Sequence, residues 1–148
     1  MPALSARLRK LFAKTKLVIL PEDYLLIHLP LDARQIPAEW YRPATTRFAV
    51  FIREPRGITL AITRRKWLRM RNLFKKYEVS GPMKVVTFDI EIPLDVHGYI
   101  APITKTLADG GISVVLVSTY VCDHILVRKE DLPRSIRLLR QFRESCKG

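Results

Sequence analysis

Leu17 to Leu20 and Tyr24 to Leu29 are short apolar runs rich in branched residues, and Pro21-Glu22-Asp23 lies between them. That spacing predicts strand, turn, strand. Pro30 closes the second run, and residues 31 to 45, which hold further prolines and the Trp40-Tyr41 pair, predict an irregular connection with at most one helical turn. Arg47 to Arg53 alternates Phe48, Val50 and Ile52 against Ala49 and Phe51. Gly57 to Thr63 follows through Glu54-Pro55-Arg56-Gly57, a connection suited to a hairpin. From Arg64 to Tyr77, the residues Trp67, Met70, Leu73, Phe74 and Tyr77 form a helical stripe, with Arg64, Arg65, Arg69 and Lys76 mostly off it.

Ser80-Gly81-Pro82 is turn-forming and reads as the linker between two small units. Beyond it, Lys84 to Ile92 alternates Val86, Phe88, Ile90 and Ile92 with Val85, Thr87, Asp89 and Glu91, a half-buried strand. His97 to Asp109 reads as a helix with Ile100, Ile103, Thr104 and Leu107 on one face, stopped by Gly110-Gly111. Ile112 to Thr119 and His124 to Val127 are strands. Asp131 to Arg143 is a terminal helix with Leu132, Ile136, Leu139 and Phe142 inward, and with charges placed to complement its dipole. Strand, helix, strand, strand, helix predicts an α+β sandwich of ferredoxin-like type, with short helices on one face of a largely antiparallel sheet. The expected division is a basic segment over residues 1–16, one unit over 17–80 and a second over 81–148.

Charge adds one feature. The chain carries a formal +12, with five Lys or Arg and no acid in residues 1–16 and seven more in residues 64–76. Such a balance favours nucleic acid, an anionic membrane surface or an acidic partner. Leu4, Leu8, Leu11 and Phe12 recur at helical spacing among Arg7, Arg9, Lys10 and Lys14, which predicts a short helix docked on the body, an amphipathic presequence for an organelle being the alternative. The apolar runs are too short to span a bilayer. Cys122 and Cys146 lack C-x-x-C spacing, so the expectation is a reducing, cytoplasmic setting without disulfides. His28, His97 and His124 are scattered, and no metal or cofactor is expected.

Gly111-Ile112, a hydrophobic strand, Ser118-Thr119-Tyr120, two residues, Asp123, a Leu126-Val127 strand and the helix start Glu130-Asp131-Leu132 follow in order. This run resembles the small tandem ACT-domain proteins related to the CASTOR arginine sensors. Ile92-Pro93-Leu94-Asp95 followed by Gly98 is similar to that family's approach to its first helix, and Tyr24 to Pro30, Phe48 to Glu54 and Gly57 to Leu60 sit where its N-terminal ACT unit has strands. The resemblance covers residues 83–143 most closely and 17–63 more loosely, and leaves residues 1–16 and 64–76 unexplained. It implies two ferredoxin-like ACT units, a regulatory protein without catalysis of its own, an amino-acid-like ligand, and a homodimer that restores the four ACT units of the sensors. Cys122 stands where the family usually has Thr, and His124 where it has Tyr or Phe, so a site is implied without its ligand being named.

Asp123 follows a turn and precedes an apolar strand, where its carboxylate either accepts hydrogen bonds from a cationic group or closes the turn. The resemblance gives it the ligand's cationic group. Gly98, Tyr99 and Ile100 open a helix whose free N–H groups suit an α-carboxylate. Thr119 and Tyr120 are expected to line the space between these poles, or else to be a turn and a partly buried aromatic. Cys122 and His124, two apart on a strand, face the same way as a nucleophilic pair would, but no orienting third group is evident. Arg64, Arg65, Lys66, Arg69, Arg71, Lys75 and Lys76, interleaved with aromatics, are the candidate polyanion site. Without a reading motif, any affinity for nucleic acid is expected to be weak and electrostatic.

Overall fold

The computed structural model describes residues 3–32 and 47–148. The connection expected around Trp40-Tyr41 lies outside the described residues. The chain divides into two compact units, Met1–Pro21 with Lys84–Gly148, and Glu22–Met83.

In the first unit, α1 (Ala6–Lys14) begins where the Ser5 hydroxyl accepts a hydrogen bond from the Leu8 amide. This is ordinary N-capping. β1 (Lys16–Ile19) pairs antiparallel with the end of β5 (Glu78–Asp89), from Lys16 opposite Asp89 to Ile19 opposite Val86. The chain then forms α3 (Ile100–Asp109), β6 (Val115–Ser118), β7 (Asp123–Arg128) and α4 (Leu132–Ser145). Gly111, at φ +70°, supplies the left-handed turn that ends α3, as its sequence position led us to expect. The strand order is β6-β7-β5-β1. Val86 and Phe88 from β5, with Ile125 and Val127 from β7, meet Ile103, Leu107, Ile136 and Leu139 from α3 and α4 in one core, and Phe12 of α1 belongs to it.

This differs from a contiguous division with residues 1–16 apart and the first strand in the N-terminal unit. The physical reason is an open sheet edge. β5 needs an antiparallel neighbour on the side away from β7, and residues 16–19 supply it. α1 then follows its own apolar stripe onto the same core.

In the second unit, β2 (Tyr24–Leu29) lies between β4 (Gly57–Thr63) and the first half of β5, and β3 (Val50–Glu54) is joined to β4 by the expected Pro55-Arg56 hairpin. The order β3-β4-β2-β5 repeats the arrangement of the first unit. Alternate residues of β2 and β4 point inward, so that Leu25, Ile27, Leu29, Ile58, Leu60 and Ile62 form a core with Trp67, Met70 and Phe74. α2 (Arg64–Met70) is shorter than the helix expected to Tyr77: it tightens into a 3-10 turn at Arg71–Leu73 and is extended by Phe74. Packing overrides periodicity there, because the tightened turn lays Phe74 parallel to Trp67 with ring centroids 6.0 Å apart.

The expected linker at Ser80-Gly81-Pro82 lies inside β5. Gly81 has φ +135°, and a Cβ there would stand 3.0 Å from both Leu25 Cδ2 and the Tyr24 carbonyl oxygen. Glycine is therefore used for a close approach between strands, beside the register shift at Tyr24/Leu26. The protein has the α+β, ferredoxin-like architecture expected from its pattern.

Candidate functional site

Three expected site residues meet at one end of the first unit. Gly98, exposed and at φ +85°, turns the chain into α3, and Tyr99 holds the cap position without a side-chain capping bond. Ile100 opens the helix, half-buried against the core. The start of α1 approaches closely here: Arg7 donates two hydrogen bonds to the Asp95 carboxylate, at 2.9 and 3.2 Å, and holds that carboxyl below its usual range. Both groups are solvent-exposed, so the pair orients α1 more than it stabilises it.

The Tyr99 side chain turns into the core. Its ring is 4% exposed and stacks on Phe12 at 4.5 Å, and its hydroxyl lies 2.7 Å from Thr15 Oγ1. Only its backbone is left to contribute to a site. Burial pushes the phenol up to about 12, and the Asp123 and Cys122 charges add to that shift. The folded chain therefore keeps a proton that the unfolded chain loses near pH 10, and this stabilisation is present below pH 10 and lost as pH rises through about 12. We expect Tyr99→Phe to be less stable than wild type at neutral pH but to lose less stability across that alkaline window, a difference of about 2 kcal/mol. Denaturant unfolding of both proteins at the two ends of the window checks this, and parallel pH profiles would remove Tyr99 as the titrating group.

Asp123 begins β7 opposite Ser118, half-buried. Alternation puts it on the side of Ile125 and Val127, which is the helix-bearing face. Among the described residues no donor hydrogen-bonds its carboxylate and no cation pairs with it. A part-buried carboxylate left this way keeps unspent hydrogen-bonding capacity.

Thr119 and Tyr120 belong to the hairpin turn that precedes it. Thr119 Oγ1 donates to the Cys122 carbonyl at 2.9 Å and accepts from the Cys122 amide at 3.3 Å, which closes the β6–β7 hairpin. Tyr120, at the tip, is 87% exposed. Cys122 and His124 do share a face: Sγ lies 3.6 Å from Nε2, and Nδ1 lies 2.8 Å from Thr87 Oγ1. Sequence reasoning missed Thr87, because its strand is 37 residues away. Burial raises the thiol's pKa and lowers that of the imidazole, so both favour their neutral forms, the reverse of an activated pair.

A groove of about 710 Å³ lies elsewhere in this unit, floored by Ile19, Leu132 and Ile136 and rimmed by Arg137, Arg140 and Glu144. None of the expected site residues lines it. Local pattern does not disclose it, since Ile19 reaches α4 only through the long-range pairing of β1. Among the described residues no group of His, Cys, Asp and Glu could hold a metal ion, and no helix is long and apolar enough to cross a membrane.

In the second unit, Arg64, Arg65, Arg69, Arg71, Lys75 and Lys76 are exposed and Lys66 is half-buried. Trp67 and Phe74 between them are core residues and are not free to stack on bases, while Tyr77 meets Trp67 edge-on at 4.9 Å and stays 42% exposed.

Residues 78–141 match the ACT domain family model, and the chain carries an ACT domain there. No curated protein sequence matches the chain significantly. Among solved structures, a protein of unknown function from Vibrio cholerae, described as a possible transport protein, is 24% identical, with a TM-score of 0.69 over 92% of this chain and 95% of that one. A protein from Agrobacterium tumefaciens is 23% identical with a TM-score of 0.66, over 86% of this chain and 87% of that one. The ligand-free regulatory subunit of aspartate kinase from Thermus thermophilus is 11% identical with a TM-score of 0.60, over 86% of this chain and 97% of that one. At these identities the likeness is one of fold.

Proposed function

We propose that this chain is a non-catalytic regulatory protein that binds an amino acid or a related small metabolite through its ACT domain. It acts as a homodimer of chains that each contain two ACT units, which together restore the four units of the CASTOR-like sensors. The observation that carries the reading is the half-buried, unpartnered Asp123 carboxylate on the helix-bearing face to which α3 belongs. A carboxylate and a helix N-terminus are opposite poles, which is what a zwitterion requires. In this reading Asp123 takes the ligand's ammonium or guanidinium, the backbone at Gly98, Tyr99 and Ile100 takes its carboxylate, and the Thr119-Tyr120 hairpin borders the site. The repeated strand order of the two units and the fold shared with an aspartate kinase regulatory subunit support it. The two free cysteines fit a reducing, cytoplasmic setting.

Thermal-shift screening against the twenty amino acids, followed by calorimetric titration, tests the proposal. Asp123→Asn keeps the shape and removes the charge. A charge-assisted hydrogen bond is worth about 1.5–3 kcal/mol, so the best ligand should bind roughly tenfold or more weakly while the fold survives. Unchanged affinity would make Asp123 a turn residue, and light scattering that returned only a 17 kDa particle would remove the dimer.

A further inference from the structure

Seven cations and no acid occupy residues 64–76, and the fold sorts this stretch into an inward and an outward side. Trp67, Met70 and Phe74 are buried in the core of the second unit. Arg64, Arg65, Arg69, Arg71, Lys75 and Lys76 are exposed, and among the described residues none of their side chains is held in an ion pair. Two leucines also point outward: Leu68 is 48% and Leu73 46% exposed. On α2, positions 64 and 65 lie four and three residues before Leu68, so Leu68 sits on the outward face beside two guanidinium groups, with exposed Arg69 flanking that face.

What surface asks for cations around aliphatic side chains? A nucleic acid asks for cations and for ring faces on which bases stack. Here Trp67 and Phe74 stack on each other in the core, and of the three rings only Tyr77, edge-on to Trp67, keeps an exposed side, which is short of a platform for successive bases. A phosphate backbone has nothing to offer the two leucines, whereas an anionic bilayer meets both demands. Its headgroups neutralise Lys and Arg, and its upper acyl region accepts short apolar side chains while the long basic stems reach back to the interface.

The geometry points to a peripheral membrane-docking face formed by α2 and the turn after it. Arg64, Arg65, Arg69, Arg71, Lys75 and Lys76 lie among anionic headgroups, and Leu68 and Leu73 enter the acyl boundary. This face is separate from the Asp123 site and does not depend on it.

Co-sedimentation of the full chain with phosphatidylcholine vesicles, with and without phosphatidylglycerol, tests the proposal, alongside polarisation binding to a short single-stranded oligonucleotide. Wild type is expected to bind only the anionic vesicles, and less at high salt. Leu68→Ser with Leu73→Ser keeps every charge and should weaken vesicle binding about tenfold or more, leaving oligonucleotide binding unchanged. Arg65→Glu with Arg69→Glu should weaken vesicle binding roughly a hundredfold or more, since each surface cation is worth about fivefold. All four positions are outward, so both variants should unfold at the wild-type temperature, and the arginine variant carries the test if the leucine variant does not. The proposal is overturned if anionic vesicles fail to bind, if the folded leucine variant binds them as well as wild type, or if the oligonucleotide binds more tightly through the same arginines.

Discussion

Phe12→Ala is expected to destabilise the first unit by about 3–5 kcal/mol, the usual cost of emptying a large buried aromatic site. Phe12 is 3% exposed, stacks on Tyr99 at 4.5 Å and meets Phe142 edge-on at 4.9 Å. Phe88, Ile103 and Leu139 line the same space, beside a cavity with about 10 Å³ of room for water. Each aromatic pair adds about 0.5–1.5 kcal/mol beyond buried area, so the loss should sit toward the upper end of the range. Small domains are stable by only about 5–15 kcal/mol, and the change should appear as a large fall in denaturant midpoint. Phe12→Leu should recover a good part of it. If α1 were an appendage, Phe12→Ala would leave the midpoint within a few tenths of a kcal/mol of wild type.

Trp67→Ala should destabilise the second unit by a similar amount, about 3–5 kcal/mol. Trp67 is 3% exposed, parallel to Phe74 and edge-on to Tyr77. The substitution also separates the two uses of the basic stretch. A core tryptophan predicts lost stability with unchanged affinity for anionic vesicles in the folded fraction, followed by circular dichroism and co-sedimentation. Lost affinity for an oligonucleotide at unchanged stability would instead return Trp67 to the role of a stacking platform.

The two cores are distinct, and their separation bears on how both results are measured. Phe12 and Trp67 belong to different clusters, each drawn from its own unit. If the units melt separately, one transition should move while the other stays in place, and a single two-state fit would misassign the change.

Local pattern was legible wherever the neighbours that decide a conformation lie close along the chain. Tyr24–Leu29 and Gly57–Thr63 are strands as read, and the Gly110-Gly111 stop ends α3. Asp123 was legible as a candidate through its place in a recognisable run. What remained hidden depended on groups brought from far away. The sequence does not show that the Tyr99 side chain packs on Phe12 and bonds to Thr15, nor that the Thr119 hydroxyl closes the hairpin. The sequence by itself determined the periodicities, the turns, the basic stretch and the α+β character, because these follow from side-chain spacing and backbone preference over a few residues. Only the tertiary structure decided that Lys16 pairs with Asp89, that β5 runs unbroken through Ser80-Gly81-Pro82, and that α2 ends at Met70. The physical reason is common to all three: an open strand edge and an unfilled core take whichever segment completes them, and distance along the chain enters only weakly, through the entropy of closing the loop.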